Sequence, residues 1–78
     1  MNNWYGFAYE DLLMAERAFE DKIFNQVCFH SQQGVEKTLK GFLRDYNRTV
    51  PKTHILKELL DLCIRIDKSF TQFQEDCE

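Results

Sequence analysis

One proline and three glycines in 78 residues leave the chain few places to break, and no stretch alternates apolar with polar residues as a half-buried strand would. Long helices fit this pattern and a sheet does not. Apolar runs extend only a few residues, far short of the roughly 20 needed to cross a bilayer, and no basic leader precedes one. No membrane association is expected, and the chain reads as cytoplasmic. Cys28, Cys63 and Cys77 form no CxxC pair, and the two histidines lack the spacing that assembles a tetrahedral metal site. They read as reduced thiols, with Cys28 and Cys63 as small core residues. No Gly-rich phosphate loop or nucleophile motif occurs, so neither a metal nor a cofactor is expected.

What the chain does have is apolar mass: 44% of it, including seven Phe, three Tyr and one Trp, too much for a disordered segment. Charge is segregated beneath a net of -3. Residues 1–21 hold five acids and one base (-4), residues 22–57 seven bases and two acids (+5), and residues 58–78 six acids and two bases (-4). An acidic chain is a poor general nucleic-acid binder, yet its basic middle offers either a local anion-binding strip or a merely solvated helix side. A single domain this short lies near the lower limit at which a core folds unaided, so a homodimer is expected.

Spacing predicts three main helices. Tyr5, Ala8, Leu12, Ala15 and Phe19 recur at 3,4 intervals beside a second ridge of Phe7, Met14 and Ala18, giving a helix over about residues 3–20. Asp11 falls between the ridges, and an inward carboxylate needs a cationic partner, with Lys37 and Lys40 as candidates. Asp21 and Lys22 mark a turn, with Asn25 as an alternative cap, and a second helix runs to about Tyr46. Phe24, Cys28, Val35, Leu39, Phe42 and Tyr46 form its expected core stripe, with Gln26, His30, Gln33, Lys37, Lys40 and Arg44 on the opposite, polar side. Phe29 and Glu36 fall on the edge between them. Gly34 and Gly41 lie on a third side. Each costs about 1 kcal/mol against alanine in a helix, which points to close approach by another helix. Pro51 disfavours helix at Val50, and Thr53 is expected to cap a helix starting at His54 and ending near Ile66, with Leu56, Leu59, Leu60, Cys63 and Ile64 on its apolar side. Asp67 caps a short fourth helix carrying Phe70 and Phe73. The fold class is all-α: an up-and-down bundle of three main helices plus a short fourth.

The stretch Phe29-His30-Ser31-Gln32-Gln33-Gly34-Val35-Glu36-Lys37-Thr38-Leu39-Lys40, followed downstream by Pro51-Lys52-Thr53-His54, resembles the signature of HEPN domains (higher eukaryotes and prokaryotes nucleotide-binding). The opening, with Asp11-Leu12 before Ala15, fits as well, so the resemblance covers nearly the whole chain. It implies a helical bundle that commonly dimerises and is often encoded beside a minimal nucleotidyltransferase, as a toxin-antitoxin-like pair. Several such families are metal-independent ribonucleases in which an Arg and a His a few residues apart meet across a dimer cleft. Similar domains usually continue past the point matching Cys77, so residues 1–78 are expected to be a single HEPN-like domain lacking a C-terminal helix.

Two sets of residues are candidates for function. Arg48 and His54, with five residues between them, satisfy the ribonuclease spacing; the His would shuttle a proton and the Arg would hold the phosphate. Pro51 lies between them in a loop, whereas the resemblance puts the catalytic motif in a helix further along, so Arg48 is expected to point to solvent. The second set is His30, Gln33, Lys37, Lys40 and Arg44. Here a phosphate would meet the three cations while the Gln33 amide reads a base edge; otherwise these residues form a buried network with Asp11. The favoured reading is a module that binds a nucleotidyltransferase partner and a nucleotide or RNA. A dimeric ribonuclease toxin and a purely structural dimerisation module are the alternatives.

Overall fold

A computed structural model of the protein describes residues 3–74, apart from the side chain of Phe73. Three helices follow in order, α1 (Asn3–Glu20), α2 (Phe24–Asp45) and α3 (Leu56–Ile66), and then a 3-10 helix, Lys68–Phe73. The described residues contain no strand, and the all-α expectation holds. The long α2 is central. Helix α1 packs along one side of it and α3 along another, the 3-10 helix folds back on α3, and α1 does not meet α3 among the described residues.

Both long helices end in the same way, without glycine. Lys22 adopts φ 59°, Ile23 N–H donates to Ala18 O at 2.8 Å and Lys22 N–H to Phe19 O at 3.1 Å, the paired bonds of a Schellman cap. Asn47 repeats the arrangement at φ 56°, with Arg48 N–H on Leu43 O at 2.9 Å and Asn47 N–H on Arg44 O at 3.0 Å. These left-handed residues reverse the chain within a few positions. Neither Asp21 nor Asn25 caps α2, which starts after Ile23 with no side-chain cap.

Helix α3 starts at Leu56, two residues later than expected. The Thr53 hydroxyl accepts Ile55 N–H at 3.1 Å and donates to Glu58 at 2.7 Å, so it closes a turn just before the helix and keeps His54 and Ile55 outside it. Asp67 behaves as expected: its carboxylate accepts Ser69 N–H at 2.9 Å and starts the 3-10 helix.

The core is made by α2 against α3. Leu39, Leu43, Leu59, Leu60 and Cys63 are buried, with Phe42, Val50, Leu62, Ile64, Ile66 and Phe70 packed around them. Burial pushes the Cys63 thiol up to about 11. Cys28, expected in the core, is exposed, and Cys77 lies outside the described residues. The expected α2 core stripe needs a larger correction: Phe24, Val35 and Tyr46 are 58%, 41% and 54% exposed, and of the stripe Leu39 alone is buried. Helix α2 has two neighbours, and of the stripe Leu39 and the half-buried Phe42 pack on the core with α3. His30, Gly34, Lys37 and Gly41 meet α1, and Leu39 and Leu43 meet α3.

The glycines set how closely α1 approaches. A Cβ on Gly41 would lie 2.6 Å from the Tyr5 ring and 3.1 Å from Trp4 Cβ, and one on Gly34 would lie 3.2 Å from Leu12 Cδ2. Tyr5 is fastened in place, since its hydroxyl donates to Asp45 at 2.8 Å. Burial and that carboxylate push its pKa up to about 12. Leu12 is half exposed and can yield. Gly41→Ala is therefore expected to destabilise the fold by about 1–3 kcal/mol through overpacking. In Gly34→Ala the helix-propensity gain of about 1 kcal/mol offsets a small adjustment and leaves stability close to wild type. Urea unfolding of the two variants checks this, and equal stability of both would contradict it.

Candidate functional site

Two buried carboxylates organise the charged residues. Asp11 sits between Ala8 and Ala15, small residues that let α1 approach α2 closely, and it is 8% exposed. One of its oxygens bonds His30 Nδ1 at 2.9 Å and the other receives Lys37 Nζ. A carboxylate only accepts, so His30 carries its proton on Nδ1. Burial alone would raise the Asp11 carboxyl, but the hydrogen bonds and charges of Lys37 and then His30 outweigh it and hold the group below its ordinary 3.8.

Glu36, 4% exposed, is the second. Lys40 Nζ lies 3.3 Å away and His54 Nδ1 lies 3.1 Å from both of its oxygens. Lys40 is itself buried and sits 5.5 Å from the centroid of the Trp4 ring, a cation-π contact that carries the group across to α1. The His54 side chain is 79% exposed.

Three of the five ligand-binding candidates on the polar side are thus turned to internal partners: His30 and Lys37 close on Asp11, and Lys40 closes on Glu36. Gln33 is half-buried and Arg44 exposed, neither hydrogen-bonded through its side chain among the described residues. Arg48 is exposed in the loop after α2, and no hydrogen bond joins it to His54 among the described residues. Sequence reasoning placed Glu36 on an edge and missed its role; the available signal was a Glu-to-Lys pair at i,i+4 inside an apolar neighbourhood.

In front of α2 lies a groove of about 980 Å3, lined by Leu12 of α1, by Val35 and Thr38 of α2, and by Ile55, Leu56 and Phe70 beyond. Of ionisable residues only Glu36 and His54 reach it, so the described lining offers no Lys or Arg to a phosphate. Among the described residues no three His, Cys, Asp or Glu cluster as metal ligands, and no helix is long and apolar enough to cross a membrane.

A family model described as HEPN domain matches residues 1–78. No curated protein and no solved structure matches the chain.

Because the folded-state pKa of Asp11 is depressed, the stability it contributes is present above the unfolded value of about 3.9 and is lost as pH falls through the folded one. Asp11→Asn is expected to cost about 2 kcal/mol at neutral pH, and the gap from wild type should begin to narrow below about pH 4. Urea unfolding at pH 7 and pH 3.5 reads both values. A gap that does not change with pH would contradict the ion-pair account.

Proposed function

The chain belongs to the HEPN domain family, and on that premise we propose that it is a helical docking module that binds a partner protein of the minimal nucleotidyltransferase class in a toxin-antitoxin-like pair. The observation that carries this reading is the outward arc of α1, where Phe7, Tyr9, Leu13 and Met14 are exposed. Glu10, Glu16 and Glu20 stand exposed among them. Apolar anchors surrounded by charge mark a docking surface more than a solvated helix side. The net -4 of residues 1–21 suits a basic partner surface.

The nucleotide part of the reading rests on Arg44 and Gln33. His30, Lys37 and Lys40 are already occupied by carboxylates, so a phosphate taken up on this side of α2 meets Arg44. Catalysis is the weaker reading. Glu36 orients His54 in a way that allows proton transfer, but the groove beside it has no cation to hold a scissile phosphate.

Co-expression with a minimal nucleotidyltransferase, taken from beside its gene where one is encoded there, tests the proposal. The wild-type chain should co-purify with that enzyme, and Leu13→Asp combined with Met14→Asp should weaken binding at least about tenfold with helical content unchanged, as expected for lost apolar anchors. Failure of the wild type to bind, or RNA cleavage by the purified chain that disappears in His54→Ala, would overturn it.

A further inference from the structure

A buried carboxylate is best satisfied by charge-assisted hydrogen bonds of about 2.7–2.9 Å to each of its oxygens. Asp11 is served in this way, with His30 at 2.9 Å on one oxygen and Lys37 on the other. Glu36 is not. It is 4% exposed, yet its contacts are all longer: Lys40 Nζ at 3.3 Å, and a His54 Nδ1–H that stands 3.1 Å from each oxygen and has to serve both. One N–H divided between two acceptors leaves each of them short. Lys40 is divided too, since the Trp4 ring lies 5.5 Å from its ammonium. Glu36 Oε1 therefore receives only a share of the His54 proton among the described residues.

This carboxylate lies in the wall of the groove in front of α2, and the residues beside it offer acceptors as well. The Thr38 hydroxyl donates to Gly34 O at 2.8 Å, so its proton is spent and its lone pairs remain. The described lining contains no Lys or Arg, and the other polar side chains, Ser31, Gln32 and Gln33, are neutral and adapt to either role. Leu12, Val35, Ile55, Leu56 and Phe70 make the rest of the surface apolar. At about 980 Å3 the groove is the size of a small-molecule site. An anion is turned away by Glu36, and a bare hydrocarbon would shut that carboxylate from water while giving it no donor. A donor group on an apolar body meets both conditions.

We propose that this groove binds a small organic amine in its protonated form. The ammonium donates to Glu36, with the Thr38 hydroxyl as a second acceptor, and a flat or branched apolar body lies against Leu12, Val35 and Phe70. Charge complementarity selects this occupant: Glu36 is the one acid in the described lining, and the cation that neutralises it from behind, Lys40, does not reach the groove. The site shares no residue with the exposed α1 arc of Phe7, Tyr9, Leu13 and Met14 assigned to the partner protein, so either can fail without the other.

Three probes with one apolar body and different heads test the proposal: naphthylmethylamine, naphthylmethanol and naphthylacetate. In a nuclear magnetic resonance titration of the whole chain, the amine should move the backbone amide signals of Val35, Glu36, Thr38 and Ile55. It should bind with a Kd of about 1 mM or below and at least about tenfold more tightly than either of the others. Glu36→Gln should remove that preference and leave the affinity for naphthylmethanol unchanged. If Glu36→Gln does not fold, the exposed Thr38→Val carries the test, and it should weaken the amine at least about threefold with helical content unchanged. Val35→Trp, which fills the groove from an exposed position, should abolish binding of the amine. Equal affinity for the three probes, signal changes centred on the α1 arc, or a folded Thr38→Val chain that binds the amine as wild type does would overturn the proposal. So would a lysine-containing apolar peptide that outbinds the amine, which would assign the groove to a protein segment, or a native mass halved by Val35→Trp, which would assign it to a second copy of the chain.

Discussion

The carboxylate of Asp11 is buried where α1 crosses α2, and a charge in that position is tolerable only with cations at hydrogen-bonding distance. His30 and Lys37, two turns apart on α2, supply them. Apolar surfaces alone can slide along one another at little cost; a buried carboxylate held between two fixed cations has one register. The same register brings Gly34 under Leu12 and Gly41 under Tyr5, and it puts the Tyr5 hydroxyl on Asp45. Glu36 extends the scheme to the other side of α2, where Lys40 and His54 share it and tie the start of the α3 segment to the central helix. In this way two carboxylates help a core of five buried residues to fasten three segments.

This arrangement decides what is left for binding. Lys37 and Lys40, which look available in the sequence, are paired with carboxylates inside the fold, while Lys22, Arg44, Arg48, Lys52 and Lys57 of the basic middle segment stay exposed. The apolar residues show the reverse pattern. Small side chains, Ala8, Ala15 and Ala18, are buried on α1, while Phe7, Leu12, Met14 and Phe19 stay exposed. Large apolar side chains exposed on α1 are the feature that supports the docking reading proposed above.

Much of this was legible from spacing. The extents of α1 and α2, the end of α3 and the start at Asp67 follow from periodicity and turn chemistry, and the paired glycines foretold the close helix contact because glycine is costly in a helix unless space demands it. Periodicity failed on α2, where it counted apolar residues and took the stripe through Phe24, Cys28, Val35 and Tyr46 for the core. A helix held between two neighbours has two inward sides, and here one of them is built from glycines and ion pairs, which hydropathy scores as surface. Glu36 was obscured for the same reason: a buried carboxylate becomes visible only when its cations are located in space. The start of α3 was misplaced because the Thr53 hydroxyl closes a local turn where the sequence suggested a helix cap.

The central claim is that Asp11 and Lys37 act as a unit that fixes α1 on α2, and a double-mutant cycle measures that directly. Asp11→Asn, Lys37→Met and the combination are compared with wild type by urea unfolding at neutral pH. The account predicts a coupling of about 1–3 kcal/mol, with the double variant more stable than the sum of the single losses implies. Losses that add to within about 0.3–0.5 kcal/mol would show that the two residues act independently, and would contradict it.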